Sequence, residues 1–166
     1  MTTPPLLGLA PALQVSQWLN APTLVPISLD QLRGRVVVLH AFQMLCPACV
    51  SHGLPQAQAI RNAFTEDEVT VLGLHTVFEH HAVMTAQALQ VFVHEYGIGF
   101  PVAIDQAGPG SSIPLTMRAY GLQGTPSLVV IDRQGQVRLR HFGLSDDLKL
   151  GAFIGRVVAE PEALPA

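Results

Sequence analysis

Charge is scarce in this sequence. Lys, Arg, Asp and Glu make up only 13% of its 166 residues, and the net charge is −3. The nine basic residues form no run, so the electrostatic footprint of a nucleic-acid binder is missing. Long apolar runs are missing too: the stretches at residues 36–39 and 69–74 are strand-sized, far short of the roughly 20 residues of a membrane span. Residues 1–18 hold no Lys or Arg and are broken by Pro4, Pro5 and Pro11, unlike a basic-then-apolar secretory leader. The chain therefore reads as cytoplasmic, with no nucleic-acid or membrane partner. Cysteine is nearly absent, and two are too few for a disulfide-stapled secreted scaffold. Repeats and low-complexity linkers are lacking, so residues 1–166 read as one domain with a core at about 24–158, as a monomer or dimer.

What is present is a globular balance, with 49% apolar residues and enough length to bury a core. The first 25 residues, rich in Pro and Ala, read as an extended lead-in with little regular structure, and residues 24–29 as a short strand. Residues 30–35 form a turn closed by Gly34. Residues 36–42 are apolar on both faces and β-branched, the pattern of a buried central strand. A helical pattern then runs to about Phe64, followed by a second buried strand at 69–77. Residues 85–96 place Ala88, Leu89, Phe92 and Val93 on one helix face, which Gly97 and Gly99 end. A short strand at 101–104 and a short helix at 114–120 follow. Residues 127–132 and 136–142 read as a hairpin, and Asp146 or Asp147 caps a last helix to about Ala159. The order predicts an α/β fold with a central mixed β-sheet flanked by helices.

The two cysteines stand three positions apart in Cys46-Pro47-Ala48-Cys49, directly after the central strand; random placement gives this separation roughly once in eighty. If Cys46 opens the helix, its sulfur lies beside unpaired backbone N–H groups and the positive end of the helix dipole, which favour the thiolate. Cys49 lies on the same face, close enough to close a disulfide. Pro47 suits the first helical turn, where a missing N–H costs little. The expected chemistry is attack by Cys46 on a substrate disulfide, then release when Cys49 attacks the mixed disulfide. No cofactor is called for beyond the cysteine pair itself.

Residues 36–49 resemble the active site of the thioredoxin superfamily. The likeness is strongest to bacterial thiol–disulfide oxidoreductases and to redoxins of the AhpC/TSA type. Gly124-Thr125-Pro126, before the strand at 127–132, is similar to the family's cis-proline loop. The resemblance implies a thioredoxin-like fold with an αβ insertion and an N-terminal extension. It also implies that Pro126 is cis and packs on the cysteine pair, with Thr125 presenting its backbone to substrate. The implied partners are a protein or small-molecule disulfide or thiol and a reducing partner; the direction of exchange is not readable from the residues, and the cytoplasmic reading favours reduction. The sequence departs from the family at Leu45, where Trp is usual, at His40, where an acid or amide is usual, at His52, and at Pro55, one position from the usual kinking proline.

His40, on the strand beneath the pair, is a candidate for proton transfer to and from Cys49, since imidazole titrates near neutrality; the alternative is a core histidine. His52 either lines the site or covers the helix surface. His75, Glu79, His80 and His81 cluster in sequence, and Glu79 is a candidate to line the site. A zinc site built from this cluster and the cysteines is a rival, weakened by its unlikeness to a zinc knuckle, and no metal is expected. Two further rivals remain. One is a peroxidase with an antioxidant role through Cys46 sulfenic acid, for which Gln43, Met44 and Leu45 supply no hydroxyl. The other is a non-catalytic interaction module of the same fold.

Overall fold

Val36–Phe42, the run with no polar face, forms a strand whose seven residues are all buried. The computed structural model describes residues 7–22 and 25–161. In chain order its elements are β1 (Val15–Leu19), β2 (Val36–Phe42), α1 (Leu54–Ala63), β3 (Val69–His75), α2 (Ala86–Glu95) and β4 (Val102–Asp105), then α3 (Leu115–Ala119), β5 (Ser127–Ile131), β6 (Val137–Phe142) and α4 (Asp147–Val158). One sheet carries the strands in the order β1-β4-β3-β2-β5-β6. β2 runs parallel to β3 and antiparallel to β5, so the sheet is mixed and the fold is the α/β, thioredoxin-like one expected.

Alternation along β2 divides the core between two faces. Val36, Val38 and Phe42 pack with Leu54, Ala57 and Ile60 of α1, Leu89 and Val93 of α2, and Leu150, Ile154 and Val157 of α4. Val37, Leu39 and Ala41 face the other way, onto Leu72, Leu74 and Tyr120, with Leu13, Ile27 and Leu29 packed alongside. Local signals set the helix ends. Thr85 Oγ1 accepts the Ala88 N–H at 3.2 Å to start α2, and Gly97, with φ +58°, turns the chain away after it. The Asp146 carboxylate accepts the Lys149 N–H at 2.9 Å and caps α4.

Two expectations about the N-terminal part are corrected. Residues 15–19 are not an unstructured lead-in but strand β1, antiparallel to β4 with Leu19 opposite Val102. Such an edge strand depends on a partner more than 80 residues away, so its local pattern is weak. Of the strand expected at 24–29, Leu24 lies outside the described residues, and residues 25–29 do not pair; Pro26 offers no N–H, and Leu29 leads into the 3-10 turn Asp30–Leu32. β3 also stops at His75, two residues short of the end expected, and the next residue, Thr76, donates its hydroxyl to the buried Asp105 carboxylate (2.9 Å). The N–H groups of Thr116 and Met117 reach the same carboxylate at 2.8 and 2.9 Å, and the Thr116 hydroxyl donates to Gln14 O at 2.9 Å. One buried acid thereby ties the end of β4 to β3, α3 and the lead-in.

Candidate active site

β2 delivers the chain to the reactive pair. After Phe42, the Cys46 N–H donates to Gln43 O (3.2 Å), and the Met44 N–H donates to Nε2 of His75 at the end of β3 (3.4 Å). The helix then begins at Pro47, and Cys46 and Cys49 form a disulfide with their Cα atoms 5.2 Å apart. Cys46 is half-buried and Cys49 fully buried, so the first sulfur is the one a substrate can reach. The Cys49 N–H donates to Cys46 Sγ at 3.2 Å, a contact that favours negative charge on that sulfur. On the opposite side lies the Thr125 carbonyl oxygen, 3.6 Å from Cys46 Sγ. The Thr125–Pro126 peptide is cis, and Pro126 is buried.

The helix is irregular where it passes over β2. Cys49–Gly53 is a π-helical turn, closed by the Leu54 N–H on Cys49 O, and Pro55 in the first turn of α1 has no N–H to restore the ordinary ladder. Beneath that turn lies His40. Its ring is 2% exposed, and neither Nδ1 nor Nε2 has a hydrogen-bonding partner among the described residues. Burial pushes its pKa down to about 4, so it is neutral at physiological pH. Gly53 makes the room. A Cβ there would stand 2.6 Å from His40 Cε1, 2.7 Å from Nε2 and 3.3 Å from Pro126 Cβ. The imidazole, the helix and the proline loop therefore meet at a position that admits no side chain.

The remaining candidates disperse. His52 lies on the flank of the turn, its Nε2 3.3 Å from Ser145 O and 4.0 Å from an Asp147 carboxylate oxygen, so it joins the active-site helix to the start of α4. Gln56 strengthens that junction through Ser145 O (3.0 Å). Pro47 is exposed at the helix head. The histidine cluster splits. His75 is buried, its pKa also pushed down to about 4 by desolvation, whereas Glu79, His80 and His81 are exposed in the loop after β3. Among the described residues no group of three or more His, Cys, Asp or Glu is placed to hold a metal ion. Sequence reasoning missed Gly53 and the His75–Met44 bond. The signal for Gly53 was available: a glycine inside a helical pattern costs about 1 kcal/mol and needs a packing reason.

Comparisons with known proteins bear on this geometry. The model of the AhpC/TSA family matches residues 10–140. Protein DipZ of Mycobacterium tuberculosis is 30% identical over 143 residues, which is 84% of this chain but only 19% of DipZ, about a fifth of its length. Thiol-disulfide oxidoreductase ResA of Halalkalibacterium halodurans is 26% identical over 137 residues, 82% of this chain and 69% of ResA. Among solved structures, the thioredoxin-like superfamily protein SPOA0173 superposes with a TM-score of 0.89 at 53% identity, covering 93% of this chain and 98% of that one. A thiol-disulfide isomerase from Corynebacterium glutamicum gives 0.86 at 50% identity, covering 92% and 98%.

Proposed function

The chain belongs to the AhpC/TSA family, and from that premise we propose how its thiol–disulfide oxidoreductase chemistry runs: as a reductase, with Cys46 attacking and Cys49 resolving. One observation carries this reading. The half-buried Cys46 sulfur sits at a helix head, with the Cys49 N–H at 3.2 Å and the Thr125 carbonyl at 3.6 Å. In the reduced enzyme the Cys46 thiolate attacks one sulfur of a substrate disulfide. A Cys46–substrate disulfide forms, and the other substrate sulfur leaves as a thiolate. Cys49 then loses its proton and attacks Cys46 Sγ; the intramolecular disulfide forms and the second substrate thiolate leaves. Two electrons pass to substrate, and a separate dithiol or thiol reductant restores the pair.

His40 is the proton acceptor for Cys49 in this reading. Its neutral ring offers one lone pair, and neither nitrogen has a partner among the described residues beneath the turn that Cys49 opens. The burial that disfavours an isolated imidazolium is offset in this step, because a thiolate forms at Cys49 of the same turn as its counter-charge. Substrates are protein or small-molecule disulfides. The reducing direction goes with a cytoplasmic setting, where thiols are kept reduced, and both are part of the proposal. An antioxidant reaction, in which peroxide oxidises Cys46 to a sulfenic acid that Cys49 condenses with release of water, has less support, since Gln43, Met44 and Leu45 offer no hydroxyl to polarise peroxide.

Trapping tests the assignment. Cys49→Ser should retain substrate on Cys46 as a reducible adduct, and Cys46→Ser should retain none. His40→Leu should slow resolution of the mixed disulfide by about 100-fold while leaving the initial attack nearly unchanged. No adduct and no turnover of any disulfide would remove the oxidoreductase reading, and peroxide consumption outpacing disulfide reduction would reassign the reaction.

A further inference from the structure

β6 is an edge of the sheet, and its Leu139 and His141 line a groove whose other wall is α4. Leu144 closes the upper end, Phe153 supplies apolar wall, and Lys149 and Arg156 stand along the rim of a space of about 910 Å³. The groove continues the site already described. The Gly143 N–H donates to Pro126 O at 2.9 Å, and Ser145 O faces His52 of the active-site helix at 3.3 Å. Leu45 before Cys46, Leu144 in the groove lining, and Phe142 at the end of β6 are exposed apolar side chains, at 58, 57 and 53%. The Phe142 ring lies over Gly124, where a Cβ would be 2.9 Å from it, so this side chain is held against the loop that carries Thr125.

The groove carries more positive than negative charge, Lys149 and Arg156 against Asp146. Lys149 is the only lysine in the chain. The Arg156 guanidinium lies 6.0 Å from the centroid of the Phe153 ring, which keeps it at the rim. Neither makes an ion pair with a carboxylate among the described residues. Asp146, the acidic residue of the lining, is turned to the Lys149 N–H as the helix cap. Two cations without a carboxylate ion pair among the described residues, against one acid in the lining and over an apolar floor, complement an apolar ligand that carries carboxylates. Spacing adds a length. The two cations are seven helical residues apart, about 10 Å, which an extended peptide covers in about three residues.

We propose, resting on the disulfide-exchange reading above, that this groove docks protein substrates through an apolar segment beside their reactive cysteine, bearing two carboxylates three residues apart. A small disulfide is reduced at Cys46 without entering it.

The test compares three disulfides on the wild-type enzyme and on Lys149→Glu/Arg156→Glu. One is 2-hydroxyethyl disulfide. The other two are disulfide-linked peptides with leucines beside the cysteine and, three residues apart, either two Glu or two Lys. The wild type should favour the Glu peptide at least tenfold in kcat/KM. The double variant should reverse that preference while reducing 2-hydroxyethyl disulfide at the wild-type rate. Ala152→Trp, on the exposed side of α4, should fill the groove and depress both peptides alone. Equal use of the two peptides by the wild type, or a uniform loss on all three disulfides in the variants, would overturn the groove. A dimer that Ala152→Trp dissociates would overturn it too, by assigning the groove to a second copy. Failure of the wild type on 2-hydroxyethyl disulfide and both peptides would instead overturn the reading on which it rests.

Discussion

His40 on β2 and Asp105 at the end of β4 are both buried titratable side chains of one sheet, and the fold treats them in opposite ways. Asp105 has three donors within 2.9 Å, the Thr76 hydroxyl and the N–H groups of Thr116 and Met117. Desolvation still pushes its pKa above the ordinary carboxylate value, against those bonds. His40 has no donor or acceptor at either nitrogen among the described residues, and desolvation acts on it unopposed. A buried polar group without a partner costs about 1–3 kcal/mol, which an apolar side chain of similar shape would not. Asp105 joins elements and explains itself as architecture. His40 makes no hydrogen bond to another element among the described residues and lies under the turn that holds Cys49, the placement on which its proposed proton transfer rests.

Stability measurements can break or sharpen that contrast. Asp105→Leu should give the largest loss, about 3–5 kcal/mol in urea unfolding, because it strands three buried donors at once. A loss under about 1 kcal/mol would mean that the network holds little and would erase the contrast. Acidification comes next. His40 and His75 have pKa values of about 4 when folded against 6.5 for the free side chain, so below pH 6.5 the unfolded chain takes up protons that the folded chain refuses. Their contribution is whole above pH 6.5 and is lost as pH falls through about 4, by about 3 kcal/mol for each. Asp105 runs the other way, since its raised value makes the folded chain hold a proton longer, and its contribution declines as pH rises above 3.8. Comparing unfolding at pH 4.5 and pH 7 for wild type and His40→Leu isolates the histidine: the variant should lose distinctly less on acidification, and equal losses would show that His40 is not held neutral by burial.

Gly53→Ala should cost about 1–3 kcal/mol and slow resolution, because the new methyl would meet the His40 ring at 2.6 Å. A fully tolerated alanine would mean that the ring can swing aside. The smallest effect is expected for His40→Leu, whose unfolding free energy should lie within about 1 kcal/mol of wild type or above it, even as resolution falls. A loss on the scale of Asp105→Leu would make His40 architectural and collapse the distinction.

How much was legible depended on how far the relevant atoms lie along the chain. β2 could be read because Val36–Phe42 is apolar at every position but His40, and the cap of α4 because Asp146 and Lys149 are neighbours. Cys46 and Cys49 could be read because strand, cysteine and helix follow one another without a break. β1 could not, since Val15–Leu19 takes its order from β4. His52 could not be placed either: its spacing from Cys49 suits a residue facing the sulfurs as well as one facing α4, and only the packing of Ser145 and Asp147 against it decided the matter. The π-helical turn was equally out of reach, because it answers to a ring lying beneath it.

By itself, the sequence determined which atoms react: two sulfurs at the exit of a buried strand, positioned by backbone rules that act over a few residues. Tertiary structure decided what surrounds them. The Thr125 carbonyl comes from 79 residues away, and His40 is buried beneath the turn because Gly53 lets the helix come down onto its ring beside Pro126. Desolvation and hydrogen-bond supply are properties of the assembled surroundings, set by segments that meet only when the chain has folded.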